Sequence, residues 1–174
     1  QVANARPIVT SRTVSQSANA TTVTINGFGF NPVASQNLVA FNNNAIGTVT
    51  AATKTSLVVT FSMKPRSAGS LTAIVVTNGI ASGTAVQVAS VVPVVTSSAS
   101  TRAANATTLT NNGLGFDPIA NRNTVVFNNG AVGAVTAATA TSLTVTLSTR
   151  PSTAGSLTAV VTTNSLTSGA AVQV

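Results

Sequence analysis

Few side chains in this sequence are equipped to do chemistry. Among its 174 residues there is one acid, Asp117, and there are eight Lys or Arg; His, Cys, Tyr and Trp are absent. A Ser-His-Asp triad, a Cys-His pair and a carboxylate pair each need residues that this chain lacks. Zinc would find no common ligand besides Asp117, and calcium would find one carboxylate where it usually takes several. Asp117 precedes Pro118, and the equivalent position of the first half is Asn31. It therefore reads as a turn residue rather than as part of a repeated site. The chain is expected not to be an enzyme, with no catalytic, cofactor-binding or metal-binding residues and no cofactor.

The cations do not assemble into a nucleic-acid surface. The net charge of +7 arises from missing acids rather than abundant bases. Arg6, Arg12, Lys54, Lys64, Arg66, Arg102, Arg122 and Arg150 are spread along the chain, whereas phosphate binding needs a clustered stripe that displaces counterions. No nucleic acid is expected as a partner. The Gly-rich runs GFGF (27–30) and GLGF (113–116) lack the Lys and the following helix of a phosphate loop. They read instead as bends, with Phe30 plugging one end of a core. A Lys–Asn isopeptide crosslink is excluded as well. It needs a nearby acid, and the first half has none, while the second has no Lys. Asn19-Ala20-Thr21 and Asn105-Ala106-Thr107 have the form of glycosylation acceptors at matched positions, a triplet that arises easily in a Thr- and Asn-rich chain.

The elements that carry these residues are strands. Hydrophobic residues make up 44% and aromatics only 3%, with Val, Ala, Leu, Ile and Thr in the lead. β-Branched side chains suit a pleated surface better than a helix, so the chain is expected to be all-β. No stretch is apolar enough to span a bilayer as a helix, and no membrane insertion of this segment is expected.

An internal repeat organises the whole. Residues 7–88 align without a gap on residues 93–174 at an offset of 86, with about 50 of 82 positions identical. NATT (19–22 and 105–108), FNN (41–43 and 127–129), VTAAT (49–53 and 135–139) and AGSLTA (68–73 and 154–159) are landmarks. Each copy predicts strands; in the first they fall at 7–12, 20–26, 37–41, 45–50, 56–62, 70–77 and 80–88. Alternation turns Val23, Ile25, Val39, Phe41, Leu57, Val59 and Phe61 to one face and Thr22, Thr24 and Thr60 to the other. Leu71 and Val75 are unchanged in the second copy, whereas Val76 becomes Thr162, which places Val76 outward. Asn26-Gly27, Asn78-Gly79, Asn112-Gly113 and Asn129-Gly130 read as turn dipeptides. Seven short half-apolar strands per copy are the pattern of a two-sheet sandwich.

The domain expectation follows. Residues 1–6 are the tail of a preceding repeat and its linker, because Gln1-Val2-Ala3 repeats Gln87-Val88-Ala89. Residues 7–88 are the first repeat, 89–92 a short linker, and 93–174 the second repeat. The chain is expected to come from a longer array, its partly apolar linker making a semi-rigid rod.

ATTVTINGFGFNP (20–32) with ATTLTNNGLGFDP (106–118), the opening PIVTS, VTAATKTSLVVTF (49–61) and AGSLTAIVVTNG (68–79) resemble IPT/TIG domains. The resemblance covers both copies in order. It implies two tandem immunoglobulin-like β-sandwich domains of the kind found in large bacterial secreted and surface proteins. The expected role is then a structural one, a stalk, spacer or fibre-forming block that is extracellular or at the cell surface. Its partners would be neighbouring repeats and further copies of itself. The alternative is an adhesin module that uses its outward Thr rows to bind glycan or a protein ligand.

Overall fold

The computed structural model describes residues 5–174, so most of the expected tail at 1–6 lies outside the described residues. The described chain is all-β, with two short 3-10 turns at Ala34–Gln36 and Ala120–Arg122. It divides into two compact units. The first holds the residues up to Gln16, Ala20–Pro65 and Ser70–Ser90. The second holds Ser17–Asn19, Arg66–Gly69 and Val91–Val174.

The first repeat supplies nine strands among the described residues: β1 (Ile8–Val9), β2 (Ser15–Ser17), β3 (Thr22–Phe28), β4 (Asn37–Phe41), β5 (Ile46–Ala52), β6 (Ser56–Met63), β7 (Gly69–Thr77), β8 (Ile80–Ala81) and β9 (Val86–Val92). One antiparallel sheet runs β1-β3-β6-β5, the other β2-β9-β7-β4, with β8 pairing β7. The second repeat supplies β10 (Val94–Val95), β11 (Thr108–Leu114), β12 (Asn123–Phe127), β13 (Val132–Ala138), β14 (Ser142–Thr149), β15 (Thr158–Thr163), β16 (Leu166–Thr167) and β17 (Val172–Gln173). Its sheets run β10-β11-β14-β13 and β12-β15-β16, with β17 also on β15.

Period-2 alternation decides what is buried. On β3, Val23 and Ile25 are buried while Thr22 and Thr24 face water. Opposite them in the ladder are Val59 and Leu57, both at 0% exposure. On the other sheet Leu71, Ala73 and Val75 are equally enclosed, whereas Val76 is only half-buried. In the second unit a single apolar cluster draws on both sheets. Leu109, Leu143 and Val145 come from one, and Val125, Phe127, Ala159 and Val161 from the other. Each fully buried Leu, Val or Phe contributes roughly 1.5–3 kcal/mol, and in a chain without Trp, Tyr or Cys this packing carries the fold.

Two expectations need correction. Asn26-Gly27 and Asn112-Gly113 are not turns: they lie inside β3 and β11, and neither glycine has positive φ. Glycine is required there by crowding. A Cβ on Gly27 would collide with the Ile8 carbonyl oxygen and the Phe30 ring, and one on Gly113 with the Val94 oxygen and the Phe116 ring. Residues 80–88 are not one strand, because the chain turns away after Ala81 and re-enters the sheet at Val86. The segment 89–92, within which the first unit ends at Ser90 and the second resumes at Val91, has strand conformation as the end of β9. Val91 is 0% exposed, and the Ser90 N–H donates to the Val14 carbonyl at 3.0 Å. Alternating burial of Ala89 and Val91 keeps this stretch in sheet geometry.

Candidate functional site

A polar assembly that recurs in both repeats is built around a buried Asn. In the first repeat Asn37 opens β4 in the same phase as Val39 and Phe41, so its amide points inward; it is 2% exposed. Its Nδ2 donates to the carbonyl oxygens of Asn31 at 2.7 Å and Val33 at 3.1 Å. Its Oδ1 accepts from the Asn31 N–H at 3.1 Å and from the Thr77 hydroxyl at 2.9 Å. Thr77 ends β7 in phase with Ala73 and Val75 and is likewise buried. Asn31 closes the arrangement: its Oδ1 accepts from the Val33 N–H at 2.9 Å and its Nδ2 donates to Asn78 Oδ1 at 2.8 Å.

The second repeat reproduces the four bonds of the central Asn. Asn123 donates to the oxygens of Asp117 at 2.7 Å and Ile119 at 3.1 Å. It accepts from the Asp117 N–H at 3.0 Å and the Thr163 hydroxyl at 2.9 Å. Asp117 stands in place of Asn31, so the bond to the turn reverses and Asn164 becomes the donor. Asp117 is 5% exposed, accepts from the Ile119 N–H at 2.9 Å and the Asn164 amide at 3.1 Å, and pairs with Arg122 at 3.4 Å. Burial pushes its pKa up, but these donors favour the ionised form and outweigh it. The carboxyl is held below its ordinary value of 3.8.

Chemically, the assembly ties the loop 31–37, or 117–123, to the end of the neighbouring strand. Every polar atom of the central Asn is engaged, so none is left to meet a ligand. Asp117 is a turn residue, as its place before Pro118 implies, and it also anchors a bridge that repeat logic alone does not reveal. Asn37 and Thr77 carry the one signal that could have been read from sequence. They are polar, identical in both copies, and fall in the inward phase of strands whose other inward residues are apolar.

Of the remaining candidates, Phe30 and Phe116 fill their cores at 3% and 0% exposure. Asn19 and Asn105 of the two Asn-Ala-Thr triplets are exposed. Thr22, Thr24, Thr48 and Thr50 stand on the outer face of the β1-β3-β6-β5 sheet, and the Thr50 and Thr60 hydroxyls meet at 3.1 Å. The second repeat has the same contact between Thr136 and Thr146 at 3.2 Å. A groove of about 370 Å³ in the second unit is lined by Ala104, Leu109, Ala154, Leu157 and Val174, with Arg102 as its one charged residue. Among the described residues, no three His, Cys, Asp or Glu side chains group as metal ligands, and no helix is long and apolar enough to cross a membrane.

No family model matches the chain, and no curated protein matches it. Among solved structures it is similar to domains 5–6 of the S-layer protein SbsC, at 15% identity over 97% of this chain and 98% of that one, with a TM-score of 0.28. A TM-score at that level defines no shared fold.

Proposed function

We propose that this chain is a non-enzymatic structural repeat of a secreted or cell-surface protein, built from immunoglobulin-like sandwiches of the IPT/TIG type. In this reading it acts as a spacer or a fibre-forming block. One observation carries it: what the two repeats hold in common is framework. Most of the core side chains, the buried Asn with its four hydrogen bonds, and the crowded strand glycines recur at an offset of 86 residues. The ion pair between Asp117 and Arg122 has no counterpart in the first repeat, where the same positions are Asn31 and Gln36. A residue set selected for chemistry would be repeated along with its scaffold.

Strand order supports the immunoglobulin-like part of the reading. With β1, β3, β4, β5, β6, β7 and β9 taken as A to G, the sheets run A-B-E-D and C-F-G, the order of a seven-stranded immunoglobulin constant-type domain. The second repeat gives the same order through β10, β11, β14 and β13 and through β12, β15 and β17. Fold does not determine role, so the role rests on the framework observation.

A second reading, an adhesin, is favoured by the exposed Thr face of the β1-β3-β6-β5 sheet. Two experiments separate the two. Pulling the chain from its ends is expected to give one unfolding event per repeat, each releasing roughly 300 Å of contour length for its 82 residues at about 3.6 Å per residue. A glycan array probed with the same protein is expected to show no saturable binding. Sugar-specific saturation would replace the structural reading with the adhesive one.

A further inference from the structure

We infer that Asn78-Gly79, the turn between β7 and β8, is a self-modification site at which the Asn78 side chain closes onto the Gly79 nitrogen and is converted to an aspartyl or isoaspartyl residue. In the first step the Gly79 amide nitrogen gives up its proton and bonds to Asn78 Cγ. The Cγ–Nδ2 bond breaks, and ammonia leaves carrying that proton. Water then adds to either carbonyl of the resulting succinimide and opens the ring; nothing is oxidised or reduced. The reaction needs a glycine nitrogen free to lose its proton, a carboxamide free to swing over it and a backbone free to turn.

Four Asn-Gly pairs occur in the sequence, at 26–27, 78–79, 112–113 and 129–130, and the structure separates them. The Gly27 N–H donates to the Thr55 carbonyl and the Gly113 N–H to the Thr141 carbonyl, each at 2.9 Å. Both glycines are buried within β3 and β11, so their nitrogens are shielded. Asn129 stands in a turn, but its carboxamide is tied down. Its Nδ2 donates to the Thr153 carbonyl at 2.6 Å, and its Oδ1 accepts from the Ser152 and Thr153 hydroxyls at 2.9 Å each. The Asn129 carbonyl, part of the peptide group that would have to rotate, accepts from the Ser152 N–H at 3.0 Å.

Asn78-Gly79 lacks these restraints. Both residues are exposed, and a Cβ on Gly79 would meet nothing within 4 Å. Among the described residues, neither the Gly79 N–H nor Asn78 Nδ2 has a hydrogen-bond partner. The carboxamide is held by one bond, from Asn31 Nδ2 to its Oδ1 at 2.8 Å. A donor at that oxygen draws electrons from Cγ, the atom attacked. The tip of a two-residue hairpin also opens at little cost.

The aspartyl product fits the site. In the second repeat Asp117 accepts from the Asn164 amide at 3.1 Å, and an acid at position 78 would accept from Asn31 in the same way with the roles exchanged. The isoaspartyl product adds a carbon to the main chain of the turn. It would loosen the pairing of Thr77 with Ile80 and the bond from the Asn78 N–H to the Gln36 carbonyl. The corresponding turn of the second repeat is protected. There Ser165 follows Asn164, its side chain crowds the attacking nitrogen, and Asn164 Nδ2 is engaged by Asp117. The inference does not rest on the structural-repeat reading and would hold equally for an adhesin.

Peptide mapping by mass spectrometry of the folded 174-residue chain, held in a mildly alkaline buffer, tests it, with isoaspartate counted by isoaspartyl methyltransferase labelling. Acid is expected to appear first at position 78 and more slowly at 129. At 26 and 112 it is expected at least about tenfold more slowly than at 78, because those pairs wait for a core strand to open. The same chain in denaturant is expected to convert all four pairs at similar rates, so that the order belongs to the fold. Gly79→Ser, which copies Ser165, is expected to slow conversion at 78 by about tenfold, with an unchanged circular dichroism spectrum verifying folding. Three results would each overturn the inference: no acid at 78 in the folded chain while the unfolded chain forms it, 26 or 112 keeping pace with 78, or 129 running ahead of 78.

Discussion

Ile25 and Asn111 occupy the same place in the two repeats, inward on β3 and β11 and opposite Leu57 and Leu143 in their ladders. Both are 1% exposed. Ile25 fills its site with carbon, whereas the Asn111 amide has no hydrogen-bond partner at either its oxygen or its nitrogen. Asn123, 12 residues on, is as deeply buried but has all its polar atoms engaged. The contrast shows that burial does not by itself decide what a core asparagine does. A satisfied one ties a loop to a strand, while an orphaned one costs the desolvation of its amide with nothing in return. The second repeat keeps its fold because the rest of its apolar cluster is intact, and it should be the weaker of the two.

Exchanging the two residues is the strongest way to break this contrast. Ile25→Asn should destabilise the first repeat by about 3–5 kcal/mol, through lost apolar burial plus an unpaired amide. Asn111→Ile should stabilise the second by about 2–4 kcal/mol. Denaturant unfolding followed by circular dichroism measures both, and signs reversed from these would refute the assignment. The satisfied asparagines should behave alike: Asn37→Ala and Asn123→Ala each strand two carbonyls, an N–H and a hydroxyl, and each should cost about 2–3 kcal/mol. Unequal costs would mean the two assemblies are not equivalent.

Smaller effects sharpen the same comparison. Asn78-Gly79 makes a tight turn with φ of 51° and 81°, and the second repeat uses Asn164-Ser165 at 50° and 66°. Ser165→Gly removes the strain of a left-handed serine and should gain about 1 kcal/mol in thermal unfolding. Smallest is the pH term that Asp117 adds to the second repeat alone. Its folded pKa lies below the unfolded one, so its stabilisation is complete above the ordinary value. It is lost as pH falls from there through the lowered value. Arg122 is half-exposed, which limits its share to about 1 kcal/mol or less. Asp117→Asn, which copies Asn31, should remove the extra acid sensitivity of the second repeat in a pH titration of stability.

Much of the framework was legible because β-branched alternation writes burial directly into sequence. The strand at 37–41 appears with those bounds, and Val23, Ile25, Leu57 and Val59 face inward as their phase implies. What escaped lacks an apolar signature. Ser-Gln-Ser of β2 alternates nothing and is held by its neighbour β9. Asn26-Gly27 has turn chemistry, but tertiary crowding at Ile8 and Phe30 claims that glycine for a strand. The strand conformation of residues 89–92 went unread because sequence shows where a repeat unit ends, not where a sheet does. The Asn37 assembly was hidden for a related reason: polarity suggests a surface until phase is weighed against it.

Hydrogen exchange followed by NMR, on the wild type and on Asn111→Ile, bears most directly on the view that each repeat is stabilised by its own core. Protection of the core amides in β11, β12, β14 and β15 should rise by the stabilisation of the second repeat, while those in β3, β4, β6 and β7 stay as they were. An equal rise in both sets would mean that the two repeats unfold as one body and would contradict it.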